Sequence, residues 1–153
     1  MTDLPVRSDR FRVEPGWRIA VQIPADCADT VLDAVRDRAP LRYGDYEAVT
    51  YATAEGTQSF RSLGTGRNRA NPAPVTVPSV ELSFFCVGTP ADLDAVLEAI
   101  YAAHPYEEPV VYVDRTTRTL HIRGLDEDNP NRFWNRSAAP DWVPAEFDTR
   151  TAP

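Results

Sequence analysis

Apolar and polar residues follow two regular periods along most of this chain, and these periods predict its secondary structure. A period of two predicts strands at 17–23, 47–53, 57–63, 79–87, 110–113 and 119–122. A helical period predicts one helix from an N-cap at Asp26 to Ala39, and another that starts at Thr89 with Pro90 and Asp92 in its first turn. With two additional strands, the chain contains the order strand, helix, strand, strand, helix, strand, which is typical of an α+β, ferredoxin-like split βαβ domain. We therefore expect an antiparallel sheet with both helices on one face, and a second face covered by a partner or by the tail.

Turn-forming residues predict how these elements are joined. Glu55-Gly56 predicts a hairpin between the strands at 47–53 and 57–63, and residues 114–117 predict a turn between the last two strands. Residues 64–78 are so rich in Gly, Asn and Pro that they predict a long irregular loop, functional or mobile. The strand at 79–87 is expected to bury one face, formed by Val80, Leu82, Phe84 and Cys86.

These patterns divide the chain into three parts. Residues 1–16 are expected to form a flexible N-terminal arm, and residues 17–123 form the ferredoxin-like domain. Residues 124–153 form a tail that contains prolines and the aromatic residues Phe133, Trp134, Trp142 and Phe147. Exposed aromatic residues favour burial, so the tail is expected to dock on its own sheet or on a neighbouring subunit.

Composition narrows the classes of function. A length of 153 residues suits one ordinary domain, and the net charge of −7 argues against bulk binding to nucleic acid or to an anionic membrane. No apolar run has the length of a membrane span, and the N-terminus lacks the pattern of a signal peptide, so a cytoplasmic location is expected. All 16 basic residues are arginine, which excludes lysine Schiff-base chemistry and a P-loop lysine.

The least generic stretch is His104-Pro105-Tyr106-Glu107-Glu108-Pro109. It places an imidazole, a phenol and two carboxylates in a segment that two prolines restrain, as a pre-organised site requires. The structural alternative is that His104 ends a helix and Pro109 begins an edge strand.

This stretch completes an ordered set of motifs that resembles a known family. The set consists of Gly44-Asp45-Tyr46, Glu55-Gly56 with Phe60, Ala70-Asn71-Pro72, Val80 to Cys86, and the segment 104–109. It resembles the PII/CutA-like domain inserted in YqfO-type members of the NGG-interacting-factor family and, more distantly, the CutA divalent-ion tolerance proteins. The resemblance covers residues 17–114 and implies a homo-oligomer, a trimer in the CutA and PII relatives, with His104, Tyr106, Glu107 and Glu108 near the cleft between subunits.

The sequence also departs from this family. Ser62 stands where a proline is usual, and residues 65–69 look like an insertion. The chain is too short for the hydrolase-like domains that host the insert in longer relatives, so their dinuclear metal site is not carried over. The tail from Gly124 lies outside the resemblance.

Two kinds of site are compatible with these residues. His104 with Glu107 or Glu108 offers nitrogen and oxygen ligands for zinc or a similar divalent ion, but one subunit supplies too few ligands, so only a site between subunits is credible. His121 is read as a solvated strand residue rather than as a ligand. Alternatively, Arg61, Arg67 and Arg69 flank Gly64-Thr65-Gly66, where a small anion could bind, although a mobile solvated loop fits the same residues.

Tyr46 and Tyr106 complete the candidate ligand-binding residues. Catalysis is poorly supported, because Glu107 and Glu108 would point to opposite sides of an extended backbone and cannot face each other as an acid/base pair. The sequence therefore predicts a non-enzymatic, oligomeric domain of regulatory or metal-tolerance type that responds to a ligand or to a divalent metal, with a small anion or a protein as candidate partners. The alternatives are a metal-dependent hydrolase, or an accessory subunit of one, and a structural assembly module.

Overall fold

A computed structural model describes residues 5–148. It contains five strands and two α-helices in the order β1 Phe11–Ile23, α1 Ala28–Arg36, β2 Thr50–Ala52, β3 Gly56–Phe60, β4 Val75–Cys86, α2 Pro90–Ala103 and β5 Val110–His121. Short 3₁₀ turns cover Ala25–Cys27, Phe133–Asn135 and Ala145–Phe147. Residues 5–6 and 13–120 form one compact unit, and residues 7–12 and 121–148 form a second.

The strands form one sheet in the order β2-β4-β1-β5, and β3 also pairs with β4. The pairs of β1, β2 and β3 with β4 are antiparallel. This order and the two helices confirm the predicted α+β, ferredoxin-like split βαβ fold.

The helices pack on one face of the sheet, which follows from the alternation in β1 and β4. The core contains Ile19, Val21, Ile23, Val31, Val35, Val80, Leu82, Phe84, Cys86, Val96 and Ile100. The predicted buried face of the central strand is therefore confirmed. The intervening residues of β1 and β4, among them Arg18 and Phe85, lie on the opposite face, which we call the outer face.

The two helices start differently. In α2 the Thr89 hydroxyl accepts the N–H of Asp92 while the Asp92 carboxylate accepts the N–H of Thr89, so the predicted helix start at Thr89 is confirmed and forms a capping box. The predicted N-cap at Asp26 is wrong, because Asp26 lies inside a 3₁₀ turn and Cys27 takes the N-cap position without a side-chain bond. Helix α1 also ends at Arg36, before the predicted Ala39.

The predicted hairpin at Glu55-Gly56 is wrong. Strands β2 and β3 do not pair with each other; both pair with β4, with Ala52 opposite Leu82 and Gly56 opposite Ser79. Ala52 and Gly56 are four residues apart, whereas their partners Leu82 and Ser79 in β4 are three residues apart. One extra residue therefore forms a bulge between β2 and β3. The extra residue moves the even-numbered side chains from the core face in β2 to the outer face in β3.

Three strands are longer than predicted. β1 starts at Phe11 rather than Trp17, so residues 11–16 are not part of a flexible arm. Pro15 is tolerated in this strand because β4 ends opposite Trp17, so no bond to β4 is lost at the proline. β4 starts at Val75, inside the predicted loop. Pro78 is tolerated in this strand because β1 ends opposite Val80, so the edge of β4 that faces away from β3 is free at Pro78. β5 runs through the predicted turn at 114–117, whose residues include no glycine, no proline and no positive φ.

The second unit is held by its own polar contacts. The Asp126 carboxylate is 3.2 Å from the Arg10 guanidinium and 3.6 Å from that of Arg132. Phe133 meets the rings of Trp134 and Trp142 edge to face, and both indoles remain largely exposed. Between residues 5 and 148, no helix is long and apolar enough to cross a membrane.

Candidate functional site

His104 fixes the start of the segment 104–109. It is the C-cap of α2 and is buried, with an exposed fraction of 7%. Its Nε2 lies 2.9 Å from the carbonyl oxygen of Gln22, and its Nδ1 accepts the N–H of Tyr106 at 3.1 Å. A neutral imidazole with its proton on Nε2 satisfies both bonds. Both ring nitrogens are therefore used within the chain, and α2 ends at His104, as the structural alternative predicts.

The residues after His104 turn outward. Residues 105–108 form bends rather than extended backbone, so the expectation that Glu107 and Glu108 point to opposite sides does not apply. Tyr106 is half-buried and its ring centroid lies 5.1 Å from that of His104. Glu107 and Glu108 are both exposed. The buried histidine thus supports an exposed pair of carboxylates.

Glu107 contacts the long loop between β3 and β4, which covers residues 61–74. Its Oε2 accepts the N–H of Arg67 at 2.9 Å. A Cβ on Gly66 would lie 3.0 Å from the same oxygen, so glycine leaves room for this approach. The sequence predicts an anion site in this loop, and here the anion that the loop backbone binds is a carboxylate of the chain itself.

The loop has an internal framework centred on Ser62. The Ser62 N–H donates to Asn71 Oδ1, and the Asn71 N–H donates to the Ser62 carbonyl. The Ser62 hydroxyl donates to the Asn68 carbonyl and accepts the N–H of Gly64. The serine that departs from the family pattern therefore closes the loop.

The structure brings only some of the predicted site residues together. Arg61, Arg67 and Arg69 are exposed on the loop, and their guanidinium groups make no hydrogen bond or ion pair with residues 5–148. Tyr46 is 65% exposed and lies in a tight turn in which its backbone bonds to that of Tyr43. Within residues 5–148, no hydrogen bond, ion pair or ring contact joins Tyr46 to the segment 104–109.

The same residues do not fit a divalent ion within one subunit. Across the described part of the chain, no three His, Cys, Asp or Glu side chains form a group that could hold a metal. Both nitrogens of His104 are already bonded, which leaves only Glu107 and Glu108 as available ligands from the predicted set. A metal site between subunits stays a prediction.

A second cluster, which the sequence did not reveal, lies on the outer face of the sheet. The Arg118 side chain is 8% exposed, and its Nε and Nη2 donate to Glu14 Oε2 at 2.9 and 2.7 Å. Its Nη1 donates to the carbonyl of Arg42. The guanidinium carbon also lies 4.6 Å from the ring centroid of Phe85 and 4.7 Å from that of Tyr43. Arg118 thus holds two aromatic rings and the loop before β2 in place.

A pocket of about 340 Å³ opens beside this cluster. Its walls include Arg18, Tyr43, Tyr51, Ser83 and Phe85. The strand register places Arg18 opposite Phe85 and Tyr51 opposite Ser83, and the sequence pattern alone does not give this register. Gly16 packs closely against this wall: a Cβ at this position would lie 2.4 Å from Phe85 Cε1 and 2.4 Å from the Cys86 carbonyl oxygen.

A chain of amides lies further along the outer face. Gln58 donates to Gln22 Oε1 at 3.2 Å, and Gln22 donates to Glu81 Oε2 at 3.3 Å. Gln58 Oε1 is buried and has no partner among the described residues. A buried amide oxygen without a donor costs free energy, and no contact among the described residues offsets this cost.

The two thiols are poor nucleophiles. Burial raises the pKa of Cys86 to about 11, against a smaller opposing effect of the Arg118 charge. Desolvation and the neighbouring Asp26 raise the pKa of Cys27. Neither side chain is activated for covalent chemistry.

Comparison with known proteins identifies the fold. No protein-family model and no curated protein matches this chain. A Bacillus cereus protein related to NIF3 is similar in structure, with a TM-score of 0.56 and 24% identity over 69% of this chain, which spans only 26% of that protein. CutA from Synechococcus elongatus is similar with a TM-score of 0.50 and 19% identity, over 72% of this chain and 88% of that one. The resemblance to PII/CutA-like domains is confirmed as a likeness of fold.

Proposed function

We propose that this chain is a cytoplasmic, non-enzymatic regulatory domain that works as a homo-oligomer, a trimer by analogy with its relatives, and whose loop 61–74 responds to a bound ligand. The bond between the Glu107 carboxylate and the Arg67 N–H is the observation that carries this proposal. It joins a rigid segment anchored by His104 to a long exposed loop. A ligand that competes for either partner changes the position of the loop.

A small anion is the ligand class that this loop favours. The backbone N–H of Arg67 already binds a carboxylate, and three guanidinium groups, those of Arg61, Arg67 and Arg69, lie on the same loop. An anion such as phosphate offers more acceptor atoms than Glu107 and is a strong partner for guanidinium groups. Its binding would release Glu107, so anion binding and loop movement are one event.

The oligomer is supported by the outer face of the sheet. Neither α1 nor α2 covers this face, and at its end away from the pocket the paired residues Phe60 and Val75 are 43% and 39% exposed. A neighbouring subunit that packs on this end of the face would bury both side chains. Native mass spectrometry should then give a multiple of the subunit mass.

Hydrogen–deuterium exchange of the loop tests the ligand response. Inorganic phosphate should raise exchange in residues 64–70 of the wild-type protein, because it frees Glu107 and loosens the loop. Glu107→Gln should show raised exchange before phosphate is added and little further change. Glu98→Gln, which removes an exposed carboxylate from α2, is the matched control and should behave as wild type.

Two glycine variants test the contact between Glu107 and the loop without changing any charge. Gly66→Ala should also raise exchange in the loop, because its Cβ would lie 3.0 Å from Glu107 Oε2 and the resulting small shift of the carboxylate would weaken its bond to the Arg67 N–H. Gly56→Ala should not, because the nearest atom to its Cβ would be the Ser79 carbonyl oxygen at 3.9 Å. Unchanged exchange in Glu107→Gln and Gly66→Ala would contradict a loop held by this contact.

A divalent ion is the second candidate, because Glu107 and Glu108 are adjacent exposed carboxylates. Such a site would need further ligands from a second subunit. Zinc bound in whole-number stoichiometry to the oligomer, and lost in the double variant Glu107→Gln/Glu108→Gln, would support it. Zinc-dependent turnover of a phosphoester would instead favour the hydrolase reading.

A further inference from the structure

The pocket on the outer face carries positive charge in an acidic protein. The chain has a net charge of −7, yet three arginines and no acidic residue appear among the described residues that line the pocket. Arg118 is neutralised by Glu14, and Arg42 lies 4.0 Å from Glu47 at the surface. The third, Arg18, makes no hydrogen bond or ion pair with its side chain anywhere in residues 5–148. The pocket therefore has one cation available for a ligand.

The remaining walls suit a flat apolar body. Aromatic rings line the pocket at Tyr43, Tyr51 and Phe85, and a small residue, Ser83, lies between Tyr51 and Ala20 in the strand register. The volume of about 340 Å³ lies at the lower end of the range for small-molecule sites. Phe85 and Tyr43 are already held by Arg118, so two of these rings need not be ordered when a ligand binds.

The loop that forms one wall is held in an unusual conformation. Leu41 and Ala48, which flank it, are non-glycine residues with positive φ values of 49° and 56°. Backbone bonds from Ala48 to Pro40 and from Val49 to Leu41 close its base. Such strained positions persist where the surrounding structure requires a defined shape, and they cluster at ligand-binding walls.

We propose that this pocket binds a small organic anion with a planar apolar body, with its acidic group on Arg18 and its ring against Tyr51 and Phe85. The charge on Arg18 selects an anion, and the aromatic walls select a flat molecule of low polarity. This site shares no residue with loop 61–74 or the segment 104–109. It therefore goes beyond the proposed ligand response of the loop.

The matched probes are 2-naphthoate and 2-naphthamide, which have the same ring system and differ in charge. Ligand-observed NMR titration should give tighter binding of naphthoate to the wild-type protein. Arg18→Gln should weaken naphthoate about tenfold, the effect of losing one charge-assisted bond, and should leave naphthamide unchanged. Arg38→Gln, which removes an exposed arginine outside the pocket, is the matched control.

A second variant tests the location. Ser83→Phe should fill the pocket and abolish the binding of both probes, with circular dichroism to confirm the fold. Equal affinity for the two probes, or full naphthoate binding by Arg18→Gln, would overturn the proposal. Binding only after dilution to a monomer would also overturn it, because the pocket would then be a subunit interface. Glu107→Gln should bind naphthoate normally, so the failure of either proposal is seen separately.

Discussion

Replacement of His104 distinguishes a structural role of this histidine from a role as a metal ligand. The variant His104→Ala loses the bonds from Nε2 to the Gln22 carbonyl and from the Tyr106 N–H to Nδ1. Each bond contributes about 1 kcal/mol. Loss of the buried ring, which is only 7% exposed, adds about 1 kcal/mol of packing. We expect the free energy of unfolding to fall by about 3 kcal/mol, or the melting temperature by about 6–12 °C for a chain of this size.

Two amide variants refine the magnitude. Gln at position 104 places its amide nitrogen near the site of Nε2, and Asn places its oxygen near that of Nδ1, so each can keep one of the two bonds. Both should lose less stability than His104→Ala. Urea unfolding of the three variants and the wild type gives these differences directly.

The same unfolding series tests the alternative role. If His104 holds His-Pro-Tyr-Glu-Glu-Pro in place, the loss must persist in EDTA, because no metal enters the argument. A loss in His104→Ala smaller than about 0.5 kcal/mol would refute the structural role. A loss that disappears when EDTA is added would identify His104 as a metal ligand instead.

Three further outcomes follow from contacts outside this segment. Arg118→Ala should destabilise the protein by about 3 kcal/mol in urea unfolding, because it removes the largely buried partner of Glu14. Bonds from the backbone and hydroxyl of Thr89 lower the pKa of the Asp92 carboxyl, so Asp92→Asn should lower the melting temperature at pH 7. This carboxylate contributes stability above its ordinary pKa of 3.8 and loses it as the pH falls through the lowered value, so the difference should shrink in acid. Cys86, with its pKa raised to about 11 by burial, should resist iodoacetamide at pH 8 until the protein unfolds.

Local sequence signals account for the parts of the fold that were predicted. Thr89, Pro90 and Asp92 form a start that needs no distant partner, and the alternation in β4 reports directly which side faces the helices. The bulge between β2 and β3 has no comparable signal. It exists because both strands pair with β4, and a period-two pattern cannot be carried through an extra residue.

The sequence likewise predicts only part of the candidate site. The sequence identifies His104 as the unusual residue, but one of its two bonds is to Gln22, far away in the sequence, and only the tertiary structure shows it. Glu107 was named as a metal ligand and Arg67 as an anion ligand, yet their contact with each other required the tertiary structure. Arg18 and Arg118 were not singled out, because no motif surrounds them and only the sheet brings them to one pocket.

The packing beside the outer-face pocket also restricts which residues the sequence tolerates at position 16. Any side chain there would displace the Phe85 ring or the Cys86 carbonyl, and Phe85 in turn supports Arg118. In a saturation mutagenesis library, this position should therefore be as intolerant as a core residue, although glycine has no side chain to bury. A smaller residue at position 85 should not restore fitness by itself, because it relieves the contact with the ring but not the one with the Cys86 carbonyl.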